Sequence, residues 1–370
     1  MTNQPQPRRR VQQMPEYHPP LGNRDTLRLD FNENTVACSP AVLAAIQQLS
    51  AADLTRYPER GPVEALAAQH LGLTTEQVIL TNGVDEAIHI LCQAFLDTGD
   101  ELLLPVPTYT MYEIYASSTD ARIVHVPSFQ SQNAQAKTAK DFAFPHESLL
   151  AAITTRTKLI AIANPNSPTG SVATREQLIA IAQAAPHAVV LVDEAYFHFY
   201  GQTVIDLVGE GAGKLRNLIV ARTFSKAYGL SSLRLGLLAG PASLLKWTRR
   251  VLSPYSVNTV ALTALTAALN DQSYLDWYVS EVKQARIEFL TELTRIGVEY
   301  WPTEANFVLV NIGPAHRQFA TAMREQGILV RDRSADPGCE GLVRITIGTP
   351  DQMQQAISAI QQFLAAGVRP

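Results

Sequence analysis

The chain has 370 residues, 46% of them hydrophobic and 17% charged, with a formal net charge of −4. This composition excludes a disordered or collagen-like chain, and the mildly acidic balance argues against nucleic acid as the main partner. No apolar run approaches the roughly 18 residues of a membrane span, and Cys38, Cys92 and Cys339 form no Cys-x-x-Cys pair. A soluble, cytoplasmic protein without disulfides is expected, with two or three domains or one large domain and a smaller attachment.

The first 15 residues carry Arg8, Arg9 and Arg10 but no acid, and no apolar segment follows, so no secretory signal is expected. A transit peptide and a simple Gln- and Pro-rich arm both remain open. From about residue 66 the pattern alternates between helix and strand. Short β-favouring runs fall at 77–81, 101–104, 122–126, 158–163, 188–192 and 218–221. After Asn82-Gly83, residues Ala87, Ile88, Ile90, Leu91, Ala94 and Phe95 recur at helical spacing, and 174–185 suits a crossover helix. Buried strands separated by helices predict an α/β protein with a mostly parallel sheet. The polar stretch 128–141 reads as a surface loop. After about residue 258, helices at 259–269 and 274–296 precede short strands at 307–311, 328–331 and 342–347, the profile of a smaller α+β domain. The expected division is 1–50 as an arm and part of the small domain, 51–258 as the large domain, and 259–370 as the small C-terminal domain.

Some motifs are incomplete. The run from Gly209 to Lys214 lacks the glycine and hydroxyl positions of a P-loop, because Val208 and Leu215 occupy them. No His-x-x-x-His pair and no Gly-x-Ser-x-Gly elbow occurs, so neither a metal site nor an α/β-hydrolase is expected. The informative segments lie at strand ends, where open α/β sheets bind ligands. Thr81-Asn82-Gly83-Val84-Asp85-Glu86 passes from strand to helix; its free amides suit a phosphate, and its acids equally suit plain helix capping. Asp193 ends the apolar run Val189-Val190-Leu191-Val192, where a carboxylate needs a cation or donors; a structural capping role is the alternative. Lys226 sits in the hydroxyl-rich segment from Thr223 to Leu230 and is either solvated or a desolvated amine able to form a Schiff base. Together these are the parts that pyridoxal phosphate needs: an anchor for its phosphate, a lysine for its aldehyde and a carboxylate for its ring nitrogen.

From Leu29-Asp30-Phe31-Asn32-Glu33-Asn34 to Arg344-Ile345-Thr346-Ile347-Gly348-Thr349 the sequence resembles the fold-type I aminotransferases, and within them the histidinol-phosphate aminotransferase family. The resemblance rests on Thr-x-Ser-Lys-Ala from Thr223, with Arg234 eight residues after the lysine, and on Asp193-Glu194-Ala195-Tyr196 upstream. It implies that the large domain binds pyridoxal 5'-phosphate and that Lys226 attaches covalently to it. Asp193 is then implied as the partner of the ring nitrogen, and Tyr196 as a donor to the ring hydroxyl. Val84, Asp85, Thr223, Ser225 and Arg234 would hold the phosphate, and Tyr109 would stack on the ring. Tyr57, in Arg56-Tyr57-Pro58, is implied to reach the phosphate from the neighbouring subunit of a homodimer. Arg331 and Arg344 match anion-binding arginines of the substrate site.

Two departures bear on this match. In the run Asn164-Pro165-Asn166-Ser167-Pro168-Thr169-Gly170, Ser167 stands where an Asn usually touches the ring hydroxyl, so either Ser167 or Asn166 makes that contact. Thr35-Val36-Ala37-Cys38-Ser39-Pro40 replaces a Pro-rich continuation beside the substrate. The implied reaction is amino transfer from histidinol phosphate to 2-oxoglutarate in histidine biosynthesis. The alternatives are an aromatic amino acid aminotransferase, a decarboxylase using the same cofactor, and a catalytically idle relative that serves in binding or regulation.

Overall fold

The computed structural model describes residues 4–14, 16, 18, 25–129 and 142–366. The predicted loop at 128–141 therefore lies outside the described residues, apart from Ser128 and Phe129. Among the described residues the strands form two sheets. Strand β1 (Leu27–Leu29) belongs to the smaller. The larger contains β2 (Val78–Asn82), β3 (Glu101–Val106), β4 (Arg122–Pro127), β5 (Thr157–Ala163), β6 (Val189–Asp193), β7 (Leu218–Thr223) and β8 (Leu235–Ala239) in the spatial order β2-β8-β7-β6-β5-β3-β4. The pairs from β7 through β4 are parallel, whereas β8 runs antiparallel to both β2 and β7.

The side chains of β3, β6, β7 and β8 are buried at every position, which is why these strands read as continuous apolar runs rather than alternating ones. Strand β4 lies at the sheet edge and exposes Arg122 and His125 there, a polar edge that discourages further strand pairing. The helix Gly83–Phe95 buries Val84, Ala87, Ile88, Ile90 and Leu91, the stripe that its spacing predicts. Thr174 caps the helix Arg175–Ala184 in a reciprocal capping box with Gln177. Sequence reading missed β8, because Leu235-Gly236-Leu237-Leu238-Ala239 follows Arg234 with no turn signal between.

The second sheet adds β9 (Tyr300–Trp301), β10 (Phe307–Asn311), β11 (Ile328–Asp332) and β12 (Leu342–Thr346), in the order β1-β11-β12-β10-β9. β1 pairs parallel with β11, and the other pairings are antiparallel. The helices Gln272–Arg295, His316–Glu325 and Pro350–Ala365 contribute buried apolar faces beside it. At the N-terminus, where an arm without defined structure was one expectation, Arg9–Gln13 forms a short helix. Arg8 pairs with Asp120 at 3.2 Å, and Arg10 Nε donates to Ser117 O at 3.3 Å. No helix among the described residues is long and apolar enough to cross a membrane, and no group of three metal-ligating side chains occurs among them.

Candidate active site

The site begins where β6 ends. Asp193 Oδ2 accepts from the Tyr112 hydroxyl at 2.6 Å, and Oδ1 accepts from Ala195 N at 3.0 Å. Both donors are neutral, so burial dominates and pushes this carboxyl up to about 6. Its neighbour Glu194 meets Arg222 at 2.7 Å and also accepts from Thr203 Oγ1 and Val204 N. A cation paired with the second acid leaves the first with uncharged partners alone.

Strand β7 ends in Thr223, and the loop that follows carries Lys226. Its Nζ donates to Phe31 O at 2.9 Å. Burial lowers the basicity of this amine; the Tyr196 phenol opposes that effect, and the nearby Arg344 guanidinium adds to it. The Tyr196 hydroxyl accepts from Asn32 Nδ2 at 2.9 Å.

Thr223, Ser225, Arg234 and the N-terminus of the helix Gly83–Phe95 form a connected cradle. Arg234 Nη2 donates to Asp85 Oδ2 at 2.9 Å, Nη1 donates to Ser231 O at 2.9 Å, and Ser225 N donates to Thr223 Oγ1 at 3.1 Å. Tyr109 donates its hydroxyl to the other oxygen of Asp85 at 2.8 Å. Space here is closely rationed. A Cβ on Gly83, whose φ is +74°, would stand 2.6 Å from Arg234 Nη2, and one on Gly236 would stand 2.7 Å from Val84 N. Glycine is needed at both positions so that helix start, strand and guanidinium can meet.

These residues open onto one cavity of about 570 Å³, lined by Val84, Asp85, Tyr109, Ser167, Asp193 and Tyr196 together with Thr223, Ser225, Lys226, Arg234, Arg331 and Arg344. Two of the residues singled out from sequence are not in its lining. Asn166 is engaged elsewhere: its Nδ2 donates to Pro107 O and Thr169 Oγ1, and its Oδ1 accepts from Thr108 Oγ1. Tyr57 is 76% exposed and stacks on Tyr255 with ring centroids 4.3 Å apart. Ser167 faces the cavity, and its Oγ accepts from Arg344 Nη1 at 2.9 Å. Arg344 Nη2 donates to Asp30 O at 2.6 Å. Burial, reinforced by the guanidiniums of Arg333 and Arg331, lowers Arg344 to about 10, so it stays charged at neutral pH.

Sequence reading assigned no role to three further participants. Tyr112 sits on a short amphipathic helix and looks like an ordinary core aromatic. Asn32, whose φ is +55°, lines the cavity within a motif that carries the family resemblance. Arg333 lies just past the end of β11, where no periodicity points to it.

The donor set suits a ligand that carries a phosphate, an aldehyde and a basic ring nitrogen. The cradle offers backbone amides, hydroxyls and a guanidinium; Lys226 offers a buried amine of reduced basicity; and Asp193 offers a buried carboxyl group with no ion pair among the described residues. Fold and cavity together fit an enzyme that holds such a ligand at the ends of its parallel strands. The profile of the family described as aminotransferase class I and II matches residues 24–360, and the chain belongs to that family.

The chain is 33% identical to a histidinol-phosphate aminotransferase of Geobacillus sp. (strain WCH70), covering 93% of this chain and 91% of that one. Among solved structures, the histidinol-phosphate aminotransferase of Sinorhizobium meliloti in complex with pyridoxal-5'-phosphate superposes with a TM-score of 0.84 over 97% of each chain, at 24% identity. The L-threonine-O-3-phosphate decarboxylase of Porphyromonas gingivalis shares the fold with a TM-score of 0.77 at 22% identity, covering 92% of this chain and 99% of that one. At 24% and 22% identity these two structures share the fold with this chain.

Proposed function

We propose that this aminotransferase uses pyridoxal 5'-phosphate to move an amino group between histidinol phosphate and 2-oxoglutarate, a step of histidine biosynthesis. The observation that carries the substrate reading is the pair Arg331 and Arg344, which face the same cavity as Lys226 and lie opposite each other in the β11–β12 register. Guanidinium forks bind a phosphate or a carboxylate, so one face serves both an amine with a phosphate and a dicarboxylate acceptor.

When bound, pyridoxal phosphate supplies an aldehyde for amine exchange and a protonated ring that withdraws electrons. Each residue then has a separable task. Val84, Asp85, Thr223, Ser225 and Arg234 would hold the phosphate, Tyr109 would cover the ring and Tyr196 would donate to the ring hydroxyl. In this reading Ser167, which faces the cavity and accepts from Arg344 Nη1, would touch that hydroxyl, and the engagement of Asn166 with Pro107 O and Thr169 Oγ1 supports the choice. Asp193 offers its carboxylate to the ring nitrogen. That pairing gives the buried acid the cation its surroundings lack, and so favours its charged form at neutral pH. Lys226 Nζ would hold the aldehyde, and as a free amine it would take the proton from the amine-bearing carbon of the substrate; burial, which lowers its basicity, favours the neutral form that this work needs.

Tyr57 acts across a homodimer in this reading. It is exposed and lies outside the lining of its own chain's cavity, which is the arrangement expected of a phenol serving a neighbour. The division into 1–50, 51–258 and 259–370 places the larger sheet in a cofactor domain and groups β1 with the C-terminal sheet. A cytoplasmic location is part of this reading, and the composition and the three free cysteines support it.

A coupled screen of histidinol phosphate, phenylalanine, tyrosine and aspartate as donors to 2-oxoglutarate tests the substrate reading. Histidinol phosphate should give the highest kcat/KM. A higher value for phenylalanine would transfer the assignment to an aromatic aminotransferase with the same catalytic groups.

A further inference from the structure

We infer that Arg333 is a specificity-determining residue for phosphorylated amine donors, adding a third guanidinium that a phosphate monoester dianion engages and a carboxylate does not require. The inference rests on the donor reading proposed above.

Three arginines share one face of a two-stranded ladder. Arg331 on β11 is the Cα partner of Arg344 on β12. Asp332 turns to the opposite face, where its Oδ2 meets His316 Nδ1 at 2.8 Å. The ladder continues one residue past the strand, with Arg333 N donating to Leu342 O at 2.9 Å, and strand alternation returns Arg333 to the face of Arg331. All three line the cavity that holds Lys226.

Like charges placed opposite each other in a sheet are destabilising, so their retention here points to an anionic ligand. Among the described residues, the one ion pair these three arginines make joins Arg333 to Asp336. Asp336 holds Arg333 at the cavity wall, while Arg331 lies over the Phe31 ring with its guanidinium carbon 5.3 Å from the centroid. The Nε atoms of Arg333 and Arg344 are buried and have no acceptor among the described residues. Two buried donors without partners are costly to leave unmet, and both belong to this face.

The two anions differ in what they can satisfy. A carboxylate offers two oxygens and one charge, which a single guanidinium fork fills. A phosphate monoester offers three terminal oxygens and nearly two charges, enough acceptors to engage more than one fork. Arg344, fixed by Ser167 and Asp30, supplies the fork common to both substrates. Arg333 supplies the increment that the dianion alone uses.

The ratio of kcat/KM for histidinol phosphate to that for unphosphorylated histidinol reads recognition of the phosphate in the holoenzyme. Arg333→Gln should lower this ratio by roughly 10- to 100-fold, mostly through KM, the size of one hydrogen-bonded charge pair. The loss in the half-reaction with 2-oxoglutarate should be about tenfold smaller than the loss with histidinol phosphate, an unchanged thermal melting profile checks that the variant folds, and Arg333→Lys should fall between Gln and the native enzyme. An unchanged ratio in Arg333→Gln, or equal losses in both half-reactions, would overturn the inference while leaving the donor assignment standing. A native ratio near one would instead overturn the donor assignment itself.

Discussion

Two buried arginines, Arg222 beside β6 and Arg344 on β12, have opposite surroundings. Arg222 meets Glu194 at 2.7 Å, donates to Thr203 Oγ1 at 3.0 Å and lies 3.4 Å over the ring of Phe197. Arg344 has no carboxylate ion pair among the described residues; it donates to a serine hydroxyl and a main-chain carbonyl, and its Nε has no acceptor. The adjacent acids Glu194 and Asp193 repeat the contrast: the first is matched by a protein cation and the second by neutral donors. At these four residues the completed charge pair lies in the scaffold and the two charges without an ion pair face the cavity, whereas Arg234 with Asp85 and Arg333 with Asp336 pair at the cavity wall itself.

Arg222→Ala tests the scaffold half and should have the largest effect. It strands Glu194 as a buried, unpaired charge, so stability should fall by about 3–5 kcal/mol in denaturant titration. A loss under 1 kcal/mol would erase the distinction between the two arginines.

Asp193→Asn should move stability the other way. An acid whose folded pKa is raised from the ordinary 3.8 to about 6 binds more protons folded than unfolded between those values, so stability declines as pH rises through that window. In protein freed of cofactor, the Asn variant should lack this decline and be more stable at pH 7 by up to about 3 kcal/mol. Parallel stability–pH curves for the two proteins would show that Asp193 already has its cation. With cofactor restored, the same variant should turn over more slowly.

Arg344→Ala should have the mildest effect on folding and a selective one on catalysis. With a serine and a carbonyl as its hydrogen-bond acceptors among the described residues, its removal should leave the melting temperature within about 2 °C. It should lower kcat/KM roughly 10- to 100-fold for both the amine donor and 2-oxoglutarate. A destabilisation as large as that of Arg222→Ala would return Arg344 to the scaffold.

The legibility of these features in the sequence follows the same divide. Asp193 stands out as an acid at the end of an apolar strand and Lys226 as an amine in the hydroxyl-rich loop just beyond another, and the motifs around them resemble those of a known family. The parallel core was readable for a related reason: Leu102 to Leu104 and Val189 to Val192 are apolar whichever face they show. Strand β1 was not readable, because Leu27-Arg28-Leu29 is too short to display a period. Tyr112 escaped notice because nothing local separates a phenol facing an acid 81 residues away from one packed in the core. Arg222 drew no notice in the sequence and Glu194 appeared only as part of a motif, because their pairing is a fact of tertiary structure. Arg333 depends on a register that only the folded ladder defines.

Strand β8 is the last of the seven to be synthesised, yet it lies second from the edge, between β2 and β7. Its register sets Thr81 and Thr223 against the same residue, Gly236. As the chain emerges from the ribosome, the start of the helix Gly83–Phe95 and the loop with Lys226 therefore stay unjoined until residues 235–239 follow. Until then, β2 and β7 each present an open edge able to pair with other chains. The cradle and the closure of the sheet are thus one event in the life of a nascent chain, and a truncation before Leu235 removes both at once.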